Sequence, residues 1–406
     1  MATFFLVIIY LAFISLGLPD SLLGVTWPLM RAEYGAPMEM AGWLFMTIAG
    51  ATIVSSLFTG KVLNRFGTGK VTFVSCLLTA VAILGFNFAP SMIWLFICAI
   101  PLGLGAGCVD AALNNYVAAN YKAHHMSWLH CFWGVGATLG PIIMSSFLTG
   151  DQSWRSGYFT IAGLQFGLVV ILFLTLPLWE KVASKSTNKL NTEIDSSISQ
   201  TTKNEKPLKI KGVKLAMATF LFYCGAEAGV GLWGSSYLVN VKDLSVGVAA
   251  QWISVYYGGI TIGRFLTGFI TLKVDNKTLI RSGQMTALAG TILMLLPIPS
   301  IFSLVGLILI GLGLAPIFPC MLHETPTRFG KEHSQTIMGY QMALAYTGST
   351  FLPPILGLVA SHTTIGIFPY VIVLFAIGML LASEKLNRVM IDRKILLKRN
   401  TESTAM

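Results

Sequence analysis

The sequence is short of charge. Only 11% of its 406 residues are Asp, Glu, Lys or Arg, with 17 acids, six histidines and six cysteines, whereas a soluble chain carries about a quarter charged residues. With 54% hydrophobic residues, a water-soluble globule is excluded. The alternating pattern of a membrane β-barrel is missing, which leaves helices as the way to satisfy backbone groups in lipid. There is no Walker-type GxxxxGK-Ser/Thr loop, and neither a nucleophile triad nor a dinucleotide loop is supported, so an enzyme is not expected. Cys76, Cys98, Cys108, Cys131, Cys224 and Cys320 stand singly within apolar runs, without CxxC or paired spacing, and read as packing residues. His124 with His125, and His323 with Glu324, lack further ligands at recognisable spacing, so neither metal nor cofactor is expected.

What the sequence has is twelve apolar runs, roughly 4–30, 40–60, 70–88, 92–118, 128–149, 156–179, 213–239, 248–272, 281–298, 301–322, 335–359 and 363–384. Each suits a membrane-crossing helix of about 20 residues. The first run lacks the basic flank and cleavage site of a signal peptide and is expected to be retained. Basic residues gather in alternate connections: Lys61, Arg65 and Lys70, then Lys122, then eight lysines against four acids from Glu180 to Lys214. The net charge of +10 therefore reads as a topology signal, with both termini cytoplasmic, and not as a nucleic-acid surface.

Residues 180–212 form the one long polar segment, rich in Ser, Thr, Lys and Asn, and read as a cytoplasmic linker. It divides an N-terminal six-helix bundle (1–179) from a C-terminal one (213–385), followed by a cytoplasmic tail (386–406). Trp43, Gly50, Thr52 and Ile53 return as Trp252, Gly259, Thr261 and Ile262, and Gly103-Leu104-Gly105 returns as Gly311-Leu312-Gly313. A near-constant offset argues for duplication and for a central site between repeats.

The stretch GLGAGCVDAALNNY, Gly103 to Tyr116, places Asp110 inside an apolar span. A charge near the bilayer centre costs roughly 2.5–3.5 kcal/mol on insertion scales, so intramembrane acids mark ion or solute paths. Gly103, Gly107, Asp110 and Asn114 share a helix face, expected to line a cavity. The alternative is an acid held neutral by Asn114. Glu227 is a second such acid, with Tyr223 on its face and Trp233 or Tyr237 to stack on a sugar; alternatively it pairs with Arg264. Asp20 shares a face with Gly24 and Trp27, or else covers backbone groups freed by Pro19. His130 reads as a proton relay or as an interhelical hydrogen bonder. Asn115, Gln341 and Tyr346 suit sugar hydroxyls or helix contacts equally well.

The segment GKVLNRFGTGK, Gly60 to Lys70, resembles the signature loop of the major facilitator superfamily, with Asn64 where that family usually has Asp. Gly60, Asn64, Arg65, Gly67 and Lys70, with Arg264, are then expected to act in gating. GLPDSLLGVTWPLM, DAALNNY, LHCFWGVGATLGP, YCGAEAGVGLWGSSYL and GLAPIFPCMLHE resemble the fucose permease-like sugar:proton symporters. Asp110 stands at that family's fourth-span acid, with Asp for the more familiar Glu and Asn115 for a Pro. Asp20 lies one turn before the level of the family's first-span acid.

The resemblance implies a secondary transporter of a monosaccharide or related small polar solute, coupled to H+ (Na+ stays open) and working by alternating access. Asp110, Asp20 and His130 would couple protons; Glu227, Asn114, Asn115, Trp27, Trp133, Trp233, Tyr237, Gln341 and Tyr346 would bind solute. A proton-coupled exporter of drugs or metabolites is the alternative. The expected setting is a monomer in a bacterial plasma membrane, with the lipid bilayer and the solute as partners and no nucleic acid.

Overall fold

The computed structural model describes residues 2–121, 123–149, 153–190 and 207–404. All regular structure in them is helical: α1 (Ala2–Asp20), α2 (Leu22–Tyr34), α3 (Met40–Phe66), α4 (Thr68–Asn87), α5 (Met92–Asn120), α6 (Ala123–Leu148), α7 (Trp154–Leu190), α8 (Val213–Lys242), α9 (Val246–Ile270), α10 (Asn276–Leu295), α11 (Ile301–Leu314), α12 (Ile317–Phe329), α13 (Lys331–His362) and α14 (Phe368–Thr404). Fourteen helices make twelve spans, because α1 with α2, and α11 with α12, each form one broken span. Ten of the spans are apolar enough to be recognised as membrane-crossing by hydropathy. The other two, α9 and α10, are 25 and 20 residues long and carry polar residues such as Arg264, Arg281 and Gln284.

Prolines set the breaks. Pro316 begins α12, and Pro19 lies in the last turn of α1, just before the Ser21 turn. Proline has no N–H to give the carbonyl four residues back, here that of Ser15. The side chain of Gln165, on α7, donates to that carbonyl at 2.8 Å and is itself 1% exposed. A buried carbonyl without a partner is costly, so a glutamine mid-span in α7 is explained by a proline on another helix.

Two helices overrun their expected ends. α7 continues past residue 179 to Leu190 and α14 past 385 to Thr404, since neither stretch contains Gly or Pro to stop it. Lys122 and residues 191–206 of the expected linker lie outside the described residues.

Two compact units divide the chain: Met1–Thr202 with Gly231–Thr261 and Gly357–Gly366, and Lys203–Val230 with Ile262–Leu356 and Ile367–Met406. In the first, α1 packs on α6, α3 and α4 on α5, and α4 on α7; in the second, α10 packs on α11, α12 and α14. The repeat is visible in this packing. Gly105 of α5 lies against Ser75 and Thr79 of α4, and Gly313 of α11 lies against Gly283 and Ala287 of α10, each residue 208 positions on. Gly103 and Gly107 do not line a cavity, as their spacing suggested; a Cβ on either would overlap α3, whose Thr52 and Ser56 donate to their carbonyls at 3.1 and 3.3 Å. Small residues there serve close helix approach. Outward-facing side chains such as Leu57, Ile93 and Leu174 are exposed and apolar, as a lipid-facing surface requires.

Candidate functional site

In the first unit the backbones of α1 and α6 meet because glycines face them. Gly17 sits on the carbonyl of Trp133, and Gly136 on that of Ile14. That approach brings the Trp133 indole to the end of α1, where its N–H donates to Asp20 Oδ2 at 2.7 Å. The alternative role of Asp20, covering the carbonyl freed by Pro19, is filled by Gln165. Asp20 is exposed although it lies mid-span. Asp110 is half-buried and accepts from Asn114 Nδ2 at 2.9 Å; the same amide reaches the Asp110 carbonyl at 3.0 Å. Among the described residues neither acid has an ion-pair partner.

The remaining expected residues of this unit separate by exposure. Asn115 and His130 are exposed, and the His130 ring stands edge-on to Phe13 at 6.0 Å. Trp27 and Trp233 are fully buried and Tyr237 nearly so; the Trp233 ring fills the space beside Gly357. A solute cannot touch these three rings in this arrangement. The turn at Ser21 also removes the shared face expected for Asp20 and Trp27: one is open and the other enclosed. Trp133 instead has Tyr257 as its ring neighbour, at 6.5 Å and near-perpendicular. Tyr10, which holds His125 Nδ1 at 2.9 Å, and Gln165 were missed from sequence. A polar residue buried amid an apolar run was the available signal for Gln165.

The second unit holds Glu227, whose carboxylate receives Arg264 at 2.9 Å, with each side chain about one-seventh exposed: 16% and 15%. Arg264 also donates to Tyr223 Oη at 3.2 Å. The ion-pair alternative for Glu227 is therefore the arrangement present. Gln341 is 1% exposed, and its amide oxygen is taken by Thr325 Oγ1 at 2.9 Å, an interhelical bond; Tyr346 is exposed.

In the expected gating segment, Gly67 is the turn, with φ +77° between α3 and α4, a conformation glycine adopts without strain. Gly60 lies inside α3 in open space and is not part of the turn. Asn64, Arg65 and Lys70 are exposed, with Arg65 over the Phe66 ring at 5.4 Å. At the start of α10 in the other unit, Asn276 donates to His323 at 3.0 Å and Glu324 at 3.1 Å. Arg328 joins Glu324 to Asn387, both at 3.3 Å, and Arg281 pairs with Glu384. His323 and Glu324 thus belong to a polar relay linking α10, α12 and α14.

Residues 9–353 match the sequence model of the Major Facilitator Superfamily. The chain is similar to bypass of stop codon protein 6 of Saccharomyces cerevisiae, at 24% identity over 86% of this chain and 76% of that one. It is also similar to the glucose/mannose transporter of Bacillus subtilis, at 26% identity over 66% of each. Its fold resembles the partially occluded inward-open xylose transporter of E. coli, with a TM-score of 0.73 at 13% identity over 94% of this chain and 98% of that one. The twelve helical spans, their repeated packing register and this match across most of the sequence establish that the chain belongs to the Major Facilitator Superfamily, a family of membrane transporters and not of enzymes.

Proposed function

We propose that the protein carries a monosaccharide or related hydroxylated solute together with protons, by alternating access between its two six-helix repeats. The observation that carries the reading is the pair of intramembrane carboxylates, Asp20 and Asp110, each held by a neutral donor. Such a donor stays in place whether the acid is charged or neutral, whereas an ion pair holds only while both members are charged. Protonated, the two acids let the loaded chamber close over an apolar boundary; ionised, they hold it open until solute has left. Asn114, Asn115 and Trp133, beside those acids, supply amide and indole groups for hydroxyls and a ring face for sugar C–H groups. The similarity to a glucose/mannose transporter supports the solute class.

The test is sugar accumulation in proteoliposomes with an imposed proton gradient and potential. One proton supplies roughly fiftyfold accumulation per 100 mV. Asp110→Asn is expected to abolish that accumulation and to leave sugar counterflow running. Undiminished accumulation by the variant, with normal proton entry, would rule out Asp110 as the carrier.

A further inference from the structure

Arg31, Met38, Glu39, Asn240, Ser361 and Thr363 line one cavity of about 470 Å³. It lies at the end of α3 opposite the basic Gly60–Lys70 segment, and Arg31 stands about 14 Å along α2 from Leu22 at 1.5 Å per residue. Its volume falls within the range of about 300–1,000 Å³ typical of ligand pockets. Two charges of opposite sign face this cavity without meeting. Arg31 spends its Nε on the carbonyl of Ala36 at 3.3 Å, and the accessible Glu39 oxygen, Oε1, has no hydrogen-bond partner among the described residues. Neither side chain has an ion-pair partner among those residues.

We propose that this cavity is a second solute site, for a small uncharged polyhydroxylated molecule. The Arg31 and Glu39 charges are equal and opposite, so a lone cation or anion would satisfy one of them and leave the other unpaired. A polyol does both, because each hydroxyl donates to the Glu39 oxygen or accepts from the Arg31 guanidinium. Asn240, Ser361 and Thr363 add neutral donors and acceptors, and Met38 adds an apolar surface.

The wall is also assembled from distant parts of the chain. Residues 31–39 run from the last turn of α2 to the start of α3, whereas Asn240 lies in the last turn of α8 and residues 361–363 straddle the end of α13. All belong to the first compact unit. An occupant therefore binds only the arrangement in which these segments are together, and it stabilises that arrangement. Solute at high concentration on this side slows the cycle instead of driving it. The bound molecule need not be the one transported.

The exposed Ser361 provides a reporter. In intact cells expressing Ser361→Cys, the rate of labelling by a membrane-impermeant maleimide is measured with glucose, mannitol, choline chloride or sodium acetate outside. Thr364→Cys, on the same turn, serves as a second reporter, and the protein without an added thiol serves as the blank. Glucose and mannitol are expected to slow labelling, and the two salts to leave it unchanged. Adding Glu39→Gln should raise the half-protecting concentration about tenfold, and Thr363→Trp, which fills the cavity, should remove protection. Protection should survive Asp110→Asn, which separates this site from the proposed transport path. Unprotected labelling in the presence of both sugars, a thiol unreachable from outside, protection that outlasts Thr363→Trp, or loss of protection with Asp110→Asn each overturns the proposal.

Discussion

The two compact units hold their intramembrane acids by different chemistry. In one, Asp20 and Asp110 rest on an indole and an amide, neutral donors that remain donors at any charge on the acid. In the other, Glu227 is matched by the Arg264 guanidinium, and the match depends on both charges. One unit is built to tolerate a change of charge; the other is built to resist one.

The sharpest way to break that comparison is to remove one member of the ion pair. Arg264→Leu leaves Glu227 enclosed without its partner and is expected to cost about 3–5 kcal/mol in denaturant unfolding. Adding Glu227→Gln should recover most of the loss, because no unmatched charge remains. A double variant as unstable as Arg264→Leu alone would mean that the pair is not what holds α8 to α9. The next effect concerns a neutral donor with a fixed duty: Gln165→Leu strips the Ser15 carbonyl of its partner, at about 1–3 kcal/mol by the same assay.

Smaller still is the indole on Asp20, because that residue is exposed. A double-mutant cycle of Trp133→Phe with Asp20→Asn should return a coupling of about 1 kcal/mol. A coupling of zero would dissolve the contrast between the units. The least effect is expected at Asp275, which caps α10 by accepting from the Thr278 N–H at 2.9 Å and the Thr278 hydroxyl at 2.8 Å. Those bonds, the hydroxyl's first, hold its carboxyl below the ordinary 3.8. The group therefore adds stability above pH 3.8 and loses it as pH falls through the lower folded value. The melting difference between wild type and Asp275→Ala should shrink on acidification through that window.

Much of the architecture was legible because lipid leaves the backbone few options. Twelve apolar runs gave twelve spans, and the Gly105 and Gly313 register confirms the repeat that the glycine triplets suggested. Helix ends were less legible: α7 and α14 run on through polar residues that make acceptable helix once nothing stops them. In the site, Glu227 and Arg264 could be paired from sequence because few charges occupy the spans and only a partner makes such a charge tolerable. The bond from Trp133 to Asp20 could not be, since it depends on how closely α1 and α6 approach at Gly17 and Gly136. Nor could the burial of Trp27, Trp233 and Tyr237 be read, because an aromatic ring among glycines looks alike in a core and in a chamber wall.

The amide of Gln165 gives the bent first span a mechanical partner. Because its cover is carried by α7, sliding either helix past the other by a single residue would bare a carbonyl inside the bilayer. α1 and α7 must then travel as one splinted piece, and any rearrangement of the protein has to pivot around that splint, never through it.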